Sequence, residues 1–577
     1  MNWADIISLI NNGNWEQARK EVNLSKNIIP YDDTAAIAEA SVYLHENDEA
    51  SAYRCIAAGL KHNCRNYELY VMLGNYYRTR NICQSYLCYE NAEFHCVQPE
   101  DKVYIRQCMA EIMCQSEGAL PSPVSIVIVS YNNMEMMKNC ILSIHNTTPS
   151  SSYELIVTDN ASTDGIREWM ELQSDITLIK NSQNKGFSYA CNQGVKAAKP
   201  DNDIFFLNND TLVPPNAIFW LRMGLYENEK VGAVGSTSNY VGNGQSLTKT
   251  YSSVQEYWEY GEKHNIPCGN PYEKKVWLSG FALLIKRRAL DEIGLFDLRY
   301  GRGFFEDDDI GIRLRYAGYH LLLCHNSFIF HYGSQSFNKD IHASQKQMFD
   351  NRQIFQKKWG FDIERYSYPQ TAVLGLIEEA KEAPIRVLEI GCGTGMLLSQ
   401  IKYLWPNSIV MGIEALEKVA LLGKDYLGVT WGNAETMEFP YEKNYFDYII
   451  WSDVLGTFYS PEKVIVRLKP YLKKEGRMLF GIFNAAHLSV LASLLKGTFF
   501  SSEINLPNKD YIRFFAANDI VRIMEQCGLI IEDFQGIRKD DLLVALPQEL
   551  RDALCHAASE NSELLHIFYY FTKTKIS

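Results

Sequence analysis

Two groups of acidic and amide residues in the 577-residue sequence have the residue types and the spacing of a cation site and of a general base. A carboxylate with neighbouring amide oxygens suits a divalent cation, and this combination occurs at Asn208, Asn209 and Asp210. Adjacent carboxylic groups raise one another's pKa, which favours a general base that works near neutral pH. That pattern occurs in the run formed by Glu306, Asp307, Asp308 and Asp309.

Polar residues also close other short apolar runs of this region. The run VSIVIV is followed by Ser130, Tyr131 and Asn132, and the run YELIVT is followed by Asp159. Short β-branched runs closed by turn residues predict buried parallel strands, whose carboxyl ends meet at one edge of a sheet. A carboxylate at such an edge can accept hydrogen bonds from a base or a ribose. Further candidates follow in the order Lys185, Gly186, Gly280 and His331.

The order of these motifs resembles the inverting family 2 glycosyltransferases, which have the GT-A fold. The resemblance implies that Asp159 contacts the nucleobase and that Asp307 deprotonates the acceptor hydroxyl. It also implies that Asp210 and His331 bind a divalent cation, Mn or Mg, at the diphosphate of a UDP or dTDP sugar. The remaining implied donor contacts are Ser130, Tyr131, Asn132, Lys185, Gly186, Asn208, Asn209 and Gly280, and the acidic segment at the acceptor adds Glu306, Asp308 and Asp309.

One position departs from the family pattern. Asn208 stands where the Asp-x-Asp metal motif has its first carboxylate, so Asp210 must supply the charge and we expect a lower metal affinity. Each motif alone has a simpler explanation: an acidic run is usually solvated surface, Asp159 could cap a helix, and a histidine such as His331 is more often structural. Seven motifs in the order of the family argue against coincidence.

A second constellation lies in the sequence VLEIGCGTG, where a predicted strand enters a turn with Gly391, Gly393 and Gly395. Glu414 ends the next predicted strand, where a carboxylate can accept two ribose hydroxyls. This pattern resembles the class I S-adenosylmethionine-dependent methyltransferases. The resemblance implies that the glycines let the backbone approach the cofactor and that Glu389 positions its amino group. The adenine would lie beside Asn433, Ala434 and Glu435.

Two positions depart from this second family. Asn433 stands where an Asp is common, and Leu455-Gly456-Thr457 replaces a Glu-His pair that follows the fourth strand. The catalytic base therefore stays open, with His487 as a candidate. A cofactor-free domain kept for packing and an NAD-dependent enzyme are the alternatives.

The elements that must position these residues divide the chain into four predicted parts. The sequence of residues 1–115 predicts only helices. One motif recurs after 34 and then 33 residues, which resembles tetratricopeptide-like helical repeats. The alternative is a plain helical bundle. In the third echo, Gly74 and Ser85 are small where two helices are expected to cross. Alternating strands and helices predict an α/β GT-A (Rossmann-like) domain over 122–362 and an α/β class I methyltransferase (Rossmann-like) domain over 383–577. A helical connector is expected at 363–382.

Composition narrows the class of protein further. The net charge of −13 argues against a nucleic-acid-binding protein. The 14 cysteines include no Cys-x-x-Cys pair, which indicates reduced thiols in the core. Neither a basic leader nor an uninterrupted apolar stretch of about 18 residues is found, so we expect a cytoplasmic protein without a membrane span.

Together these features predict a bifunctional enzyme. It would transfer a sugar from a nucleotide-sugar donor to a glycoprotein, such as flagellin, or to a surface glycan, and would O-methylate a sugar of the same glycan with S-adenosylmethionine. Helical repeats present extended binding surfaces, so we expect a protein partner there. The alternatives are a binding scaffold whose methyltransferase domain is inert and a glycosyltransferase that acts on a lipid-linked surface polysaccharide.

Overall fold

The computed structural model describes residues 2–26, 28–115, 120–333, 341–497, 510–539 and 546–577. The chain forms two compact units, Met1–Trp359 and Gly360–Ser577. Among the helices in the described ranges, none combines the length and the apolar character that crossing a membrane requires. The 14 cysteines all carry free thiols.

Seven helices form the first part of the first unit: α1 (Trp3–Asn11), α2 (Trp15–Ser25), α3 (Asp33–His45), α4 (Glu49–His62), α5 (Tyr67–Tyr77), α6 (Ile82–His95) and α7 (Pro99–Gln115). Polar residues favour their starts, because Asp32, Asp48 and Asn66 accept hydrogen bonds from N–H groups in the first turns of α3, α4 and α5. The starts of α2, α4 and α6 are 34 and 33 residues apart, which is the period found in the sequence.

Small residues let neighbouring helices of this part cross closely. A Cβ atom at Gly74 on α5 would lie 2.9 Å from the ring of Tyr89 on α6. The Ser85 hydroxyl donates to the carbonyl of Gly74 at 2.7 Å. Gly59 on α4 is similarly crowded, since its Cβ would lie 2.5 Å from that of Ala36 on α3. The expected role of Gly74 and Ser85 is confirmed, and the seven helices fit helical repeats.

The strands of the first unit are β1 (Val124–Ser130), β2 (Tyr153–Asp159), β3 (Ile176–Lys180), β4 (Asp203–Asn208), β5 (Thr211–Leu212), β6 (Val231–Thr237), β7 (Tyr272–Lys275), β8 (Ala282–Ile285), β9 (His320–Phe328) and β10 (Phe330–His331). Eight of them form a sheet in the order β3-β2-β1-β4-β8-β6-β9-β7, and β5 pairs with β10 in a ribbon. Strands β1 to β4 are parallel, as predicted. Strand β8 is antiparallel to both β4 and β6, so the sheet is mixed rather than fully parallel.

Helices cover both faces of this sheet: α8 (Met134–Thr147), α9 (Ile166–Glu171), α10 (Phe187–Ala197), α11 (Ala217–Leu225), α12 (Val254–His264), α13 (Arg287–Ile293), α14 (Glu306–Tyr316) and α15 (Ile341–Trp359). Successive residues of β1 point to opposite faces, as the period of a strand requires. Ile126 and Ile128 belong to the core that includes α8 and α11, whereas Val127 belongs to the core that includes α10 and α14. Burial on both faces explains why the strand sequence is continuously apolar.

Helix α11 also joins the sheet to the seven helices. Phe219, Trp220 and Met223 share one core with residues of α3 to α7. Arg222, on the same helix, forms a buried ion pair with Glu90 of α6. The seven helices are therefore an integral part of the first unit.

The second unit contains β11 (Arg386–Ile390), β12 (Ile409–Glu414), β13 (Val429–Trp431), β14 (Phe446–Ser452), β15 (Leu472–Phe483), β16 (Leu529–Arg538) and β17 (Ile567–Ile576). They form one sheet in the order β13-β12-β11-β14-β15-β17-β16. The first five are parallel, and β17 is antiparallel to both of its neighbours. The first five follow the doubly wound order, in which ligands bind at the carboxyl ends of the central strands.

The helices of the second unit are α16 (Ile363–Ser367), α17 (Met396–Leu404), α18 (Glu417–Leu427), α19 (Pro461–Leu468), α20 (Leu488–Leu495), α21 (Ala517–Gln526) and α22 (Gln548–Ala558). The predicted connector at 363–382 holds α16 and a short 3-10 helix, Thr371–Leu376. The finer division of the chain into four parts stays a prediction.

Candidate active sites

The carboxyl ends of β1, β2 and β4 bring several candidate residues of the first unit to one edge of its sheet. Ser130 is level with Asp159 in the parallel pair of β1 and β2. Val129, the residue before Ser130, is level with Asn208 in the pair of β1 and β4. Three polar residues from separate parts of the sequence therefore stand side by side.

Asp159 is fully buried and is bound by a residue that the sequence did not single out. Two nitrogens of Arg167 donate to one of its carboxylate oxygens, Nε at 2.8 Å, and the N–H of Ser162 donates to the other oxygen at 3.2 Å. Arg167 also donates to the carbonyl of Asn181 at 2.9 Å. A nucleobase that contacts Asp159 must therefore share this carboxylate with Arg167. In the sequence, only the position of Arg167, eight residues after Asp159, could have indicated this contact.

The loop after β1 is bonded to the loop after β2. Asn132 has a left-handed φ of 59°. Its N–H donates to the Ser162 hydroxyl, and its Oδ1 accepts from the N–H of Thr163, both at 2.9 Å. Next to it, the ring of Tyr131 is 43% exposed. The hydroxyl of Ser130 is buried and has no hydrogen-bond partner among the described residues.

Lys185 and Gly186 lie in the loop before α10. Gly186 has a φ of +88°, and a Cβ there would lie 2.5 Å from the carbonyl oxygen of Gly301. Its own carbonyl accepts from Asn160 Nδ2 at 3.2 Å. The ammonium group of Lys185 lies 4.7 Å from the ring centroid of Tyr189. Glycine is required here, because a larger residue would collide with the loop that precedes α14.

Asp210 and His331, the candidate metal ligands, lie together. Nε2 of His331 is 3.2 Å from Oδ1 of Asp210. The ribbon of β5 and β10 explains this contact, since His331 is level with Thr211. Nδ2 of Asn208 lies 3.4 Å from the same Nε2 atom. The amide nitrogen of Asn209 is buried without a hydrogen-bond partner in the described part of the chain.

A hydrogen bond at the other ring nitrogen sets which atom of His331 faces Asp210. Nδ1 is 2.8 Å from the carbonyl oxygen of Tyr240, and a carbonyl only accepts, so Nδ1 carries the proton. Nε2, on the side of Asp210, is therefore the ring nitrogen left to bind a metal. Within the described ranges, no group of three His, Cys, Asp or Glu side chains has metal-binding spacing. A cation held by this pair would take its other ligands from a diphosphate and from water.

Asp307, the candidate base, is held by two backbone N–H groups. Gly280 donates to Oδ2 at 2.8 Å, and Asp308 donates to Oδ1 at 3.0 Å. A Cβ at Gly280 would lie 3.4 Å from the Cβ of Asp307, at ordinary van der Waals distance, so the two residues pack directly against each other. Burial raises the pKa of Asp307, and the hydrogen bonds from the backbone oppose this rise. The carboxylate is therefore both fixed in place and made more basic.

Phe281 joins the candidate base to the metal pair. It follows Gly280, and its ring stacks on that of His331 with the centroids 5.3 Å apart. Its carbonyl oxygen accepts from the N–H of Asn208 at 2.8 Å. The segment Gly280–Phe281 therefore contacts Asp307 with one residue and the metal pair with the next.

The neighbouring carboxylates have different environments. Burial, and then the negative charge of Asp307, raise the pKa of Glu306 to about 8. Asp308 is also buried. Asp309 is fully buried and is bound by the side chains of Tyr300, Arg313, Lys358 and Trp359. The expectation that all four carboxylates raise one another's pKa is corrected in this respect: burial is the main cause for Glu306 and Asp307.

A loop after β6 supports the segment that contains Gly280. Nε2 of the buried Gln245 donates to the carbonyl of Ser236 at 3.0 Å, and its Oε1 accepts from the N–H of Ser279 at 2.8 Å. Asn243 donates to the carbonyl of Trp277. No sequence signal marked these residues, because they lie in a short polar stretch that reads as an ordinary loop.

The glycine-rich turn of the second unit has the geometry that its sequence predicts. Gly391, Gly393 and Gly395 have φ values of 66°, 55° and 86°. A Cβ at Gly391 would lie 2.3 Å from Val454, and a Cβ at Gly393 would lie 2.3 Å from the carbonyl oxygen of Tyr366. Both the conformation and the crowding therefore require glycine.

Two buried carboxylates lie beside this turn. Glu414, at the end of β12, accepts from the N–H groups of Gly393 at 3.0 Å and Leu416 at 2.8 Å. Glu389, on β11, is buried, and its Oε2 has no hydrogen-bond partner among the described residues. Burial, and then the charge of Glu414, raise the pKa of Glu389. A cationic amino group would satisfy this oxygen, so the residues present fit the amino acid part of S-adenosylmethionine.

The loop after β13 contains the candidate adenine-side residues. Oδ1 of the exposed Asn433 accepts from the N–H of Glu435, and the Glu435 carboxylate accepts from the N–H of Ser460, both at 2.8 Å. Arg467 on α19 donates to the carbonyls of Ala434 at 3.0 Å and Glu435 at 2.7 Å. These contacts order the loop next to the end of β12.

His487, the candidate base of the second site, has a structural environment. It is fully buried at the start of α20. Its Nδ1 accepts from the N–H of Ser489 at 3.3 Å and lies 2.7 Å from the hydroxyl of the same residue. Its ring packs edge-on against Phe568 at 5.0 Å. This histidine caps a helix.

Comparison with known proteins finds a family model for a region of each unit. Residues 125–294 match the family model described as Glycosyl transferase family 2, and residues 361–533 match the one described as Methyltransferase domain. The chain is 26% identical over 241 residues to the uncharacterized glycosyltransferase YfnE of Bacillus subtilis, covering 34% of this chain and 60% of that protein. It is 27% identical over 147 residues to a malonyl-[acyl-carrier protein] O-methyltransferase of Bacillus cytotoxicus, covering 23% of this chain and 51% of that protein. The chain thus spans less than two thirds of either relative.

Further similarities are more distant. The chain is 25% identical over 240 residues to an N-acetylglucosaminyl-diphospho-decaprenol L-rhamnosyltransferase of Mycobacterium tuberculosis, covering 37% of this chain and 78% of that protein. Among solved structures, it aligns with GalNAc-T7 with UDP, GalNAc and Mn2+ at 17% identity and a TM-score of 0.30, covering 36% of this chain and 43% of that one. It aligns with a SAM dependent methyltransferase from Aquifex aeolicus at 13% identity and a TM-score of 0.25, covering 37% and 92%. The chain contains a family 2 glycosyltransferase domain and, after it, a methyltransferase domain.

Proposed function

We propose that the first site transfers a sugar from a UDP or dTDP sugar to a hydroxyl group, with inversion and with a divalent cation. The observation that carries this proposal is the segment Gly280–Phe281, which contacts Asp307 through one residue and His331 through the next. An inverting transfer needs a base at the acceptor and neutralisation of charge at the departing diphosphate. This segment holds candidates for both tasks.

In this proposal Asp307 takes the proton of the acceptor hydroxyl while the hydroxyl oxygen attacks the anomeric carbon and the bond to the diphosphate breaks. Two backbone N–H groups orient the carboxylate, and burial keeps it more basic than an exposed Asp. Asp210 and His331 would hold Mn²⁺ or Mg²⁺, which neutralises diphosphate charge when it is bound. The bond from His331 to the carbonyl of Tyr240 keeps its ring in the orientation that this task needs.

The nucleoside is assigned to the loops after β1 and β2. The exposed ring of Tyr131 offers a stacking surface, and Ser130 and Asn132 lie on either side of it. Asp159 would accept from the base while it stays paired with Arg167. Lys185 and Gly186, with Asn208 and Asn209, are assigned to the sugar and phosphate part of the donor.

The second site is proposed to O-methylate a sugar of the same glycan. S-adenosylmethionine supplies an electrophilic methyl group when it is bound. The unpaired oxygen of Glu389 and the glycine-rich turn support its binding. Glu414 already accepts two N–H groups, so ribose hydroxyls would use its remaining lone pairs. Two active sites on one chain raise the effective concentration of the first product at the second site.

The proposed acceptor is a glycoprotein, such as flagellin, or a surface glycan. The alternative is a lipid-linked surface polysaccharide, and the name of the rhamnosyltransferase from Mycobacterium tuberculosis supports it. A protein partner of the seven helices would have to use the surface that α11 leaves open, because Phe219, Trp220 and Met223 already occupy part of their apolar face.

Donor consumption by the full-length chain tests sugar transfer. We expect release of UDP or dTDP from a panel of sugar nucleotides in the presence of Mn²⁺ or Mg²⁺, and its loss on chelation. Asp307→Asn should slow this release by about 100-fold or more, the usual contribution of a general base. Asp201→Asn, a change at an exposed position, should have no effect. If no sugar nucleotide is consumed, or if Asp307→Asn is as fast as the wild type, the proposal is wrong.

Mass spectrometry of candidate acceptors tests the combined reaction. Incubation with the donor should add the mass of one sugar, and later addition of S-adenosylmethionine should add the mass of one methyl group. A methyl group without a sugar would separate the two activities. A sugar that is never methylated would favour the scaffold alternative, in which the second domain is inert.

A further inference from the structure

Asp453 lies beside the glycine-rich turn of the second unit, just after β14. Its neighbour Val454 contacts that turn, because a Cβ at Gly391 would lie 2.3 Å from a methyl group of Val454. The N–H of Asp453 donates to the carbonyl of Gly481 on β15 at 3.0 Å. Asp453 therefore stands at the carboxyl ends of two neighbouring parallel strands, where sheets of this class bind their ligands.

The backbone of Asp453 is held in an unfavourable conformation. Its φ of 58° lies in the left-handed region, which residues other than glycine rarely adopt. Such conformations cluster at functional sites, where the surroundings hold them in place. Asp adopts this region more readily than most residues, so the conformation supports a function for the side chain only together with its contacts.

A hydroxyl group orients this carboxylate. The side chain of Tyr511 donates to Oδ1 of Asp453. Tyr511 is itself buried, and its ring stacks on that of Phe483 with the centroids 6.1 Å apart. A second buried tyrosine, Tyr569, interacts electrostatically with Asp453 and Tyr511.

Gly456 explains how Tyr511 reaches Asp453. Its carbonyl oxygen accepts from the N–H groups of Ile512 at 2.9 Å and Arg513 at 3.0 Å. A Cβ at Gly456 would lie 2.7 Å from the carbonyl oxygen of Arg513 and 2.8 Å from the ring of Tyr511. A residue with a side chain at this position would push the segment away, so the Leu455-Gly456-Thr457 sequence permits the pairing of Tyr511 with Asp453.

Asp453, Gly456 and Tyr511 line a small pocket together with Phe483, Arg513 and Phe514, with about 10 Å³ of space that the centre of a water molecule can occupy. A single water needs about 10–15 Å³ of such space. This pocket would therefore admit a group the size of a hydroxyl rather than a whole acceptor. Its wall is apolar except at the carboxylate, the tyrosine hydroxyl and the arginine.

We infer that Asp453 is the general base of the methyltransferase site and that Tyr511 is its positioning residue. This inference rests on the proposed transfer of a methyl group to a hydroxyl. The acceptor oxygen forms a bond to the methyl carbon, and the carbon–sulfur bond breaks with its electron pair left on sulfur. The proton of the hydroxyl goes to the carboxylate of Asp453, which gives a neutral thioether, a methyl ether and a protonated Asp453.

The basicity of Asp453 suits this task. Burial raises its pKa to about 7, whereas the hydrogen bond from Tyr511, the nearby hydroxyl of Tyr569 and the charge of Arg365 lower it. Among the described residues, these three are the titratable or charged groups that interact with the carboxylate, and Arg365 is itself paired with Asp510. A base whose pKa lies near the working pH is the most effective.

Infrared difference spectra of the full-length protein without cofactor test the state of this carboxyl group. Besides Glu306, whose pKa is raised to about 8, we expect a carboxyl group that titrates near pH 7 in the wild type and in Asp425→Asn, a change at an exposed position. This second titration should be absent in Asp453→Asn. Tyr511→Phe should raise the pKa of this group, because the lost hydrogen bond favours the charged form. A spectrum of Asp453→Asn identical to that of the wild type, or an unchanged pKa in Tyr511→Phe, would overturn the assignment.

Calorimetry with S-adenosylmethionine and transfer of its labelled methyl group to methyl glycosides complete the test. Asp453→Asn should bind the cofactor within about twofold of the wild type and should transfer methyl groups about 100-fold more slowly. Cofactor binding that is about tenfold weaker, or transfer at the wild-type rate, would overturn the inference. A wild type that methylates no glycoside would contradict the proposed acceptor class instead, and the infrared titration would then decide whether Asp453 is the basic carboxylate of this site.

Discussion

The ring of Phe281 stacks on the imidazole of His331 with the centroids 5.3 Å apart and the planes inclined by 23°. The residue before it, Gly280, donates its N–H to Asp307. The candidate base and the candidate metal ligand, which are 24 residues apart in the sequence, are thus both contacted by one dipeptide. A change in the backbone of this dipeptide should therefore disturb metal dependence and acceptor deprotonation together.

Restoring the missing carboxylate should strengthen metal binding. Asn208→Asp adds a charged oxygen ligand beside the pair of Asp210 and His331. We expect the Mn²⁺ concentration for half-maximal donor consumption to fall by about tenfold. Asn146→Asp, at an exposed position, is the control. An unchanged Mn²⁺ requirement in Asn208→Asp would separate this residue from the metal.

Removing a buried titrating group should change how stability depends on pH. The pKa of Glu306 is raised from 4.5 to about 8 in the folded chain, so the folded state keeps this proton longer than the unfolded state. Its contribution to stability is complete below pH 4.5 and declines as the pH rises to about 8. Glu306→Gln cannot titrate, so its stability relative to the wild type should increase over that range.

Calorimetric melting curves of the first unit at a series of pH values would measure this effect. Glu168→Gln, which removes an exposed carboxylate, should instead follow the wild type at every pH. Parallel pH profiles for Glu306→Gln and the wild type would show that the folded chain does not raise the pKa of Glu306.

Breaking the ion pair between the helices and the sheet should destabilise the first unit. The side chains of Arg222 and Glu90 are only 4% and 14% exposed, so Glu90→Gln leaves a buried charge without its partner. We expect a loss of about 3 kcal/mol in the free energy of unfolding, measured with denaturant. Glu93→Gln disrupts the exposed pair with Arg106 and should cost at most about 1 kcal/mol. Equal losses for both variants would contradict this interpretation of the interface.

A methyl group in the glycine-rich turn should prevent cofactor binding. Gly393→Ala would place a Cβ 2.3 Å from the carbonyl oxygen of Tyr366 on a backbone with a φ of +55°. Calorimetry should show at least about tenfold weaker binding of S-adenosylmethionine, because strain of this kind costs about 1–3 kcal/mol. Gly375→Ala, where nothing lies within 4 Å, should bind normally. Equal affinity of the two variants would show that the turn does not contact the cofactor.

The features that could be predicted best from the sequence are those that depend on residues adjacent in the chain. Strand-end residues such as Asp159 and Asn208 could be found because an apolar run and the polar residue that closes it are adjacent in the chain. The antiparallel strand β8 could not be found, because its place between β4 and β6 depends on partners far away in the sequence. The same reason hides Arg167 and Gln245, whose roles come only from the tertiary contacts that they make.

Neighbours in one run can also have unrelated tasks. Asp307 and Asp309 belong to the same acidic stretch, but two residues along a helix correspond to a rotation of about 200°. Asp307 therefore accepts a hydrogen bond from the N–H of Gly280, whereas Asp309 forms ion pairs with Arg313 and Lys358. Charge patterning alone does not distinguish such positions, and the helix that separates them is visible only in the structure.

The burial of Trp220 against the N-terminal helices limits how the chain could be re-engineered. Its side chain is 1% exposed. Deletion of the N-terminal helices would expose an aromatic surface, which favours aggregation. A chimera that transplants the sugar-transferring half into another polypeptide should therefore retain everything up to Trp359, where the first compact unit ends.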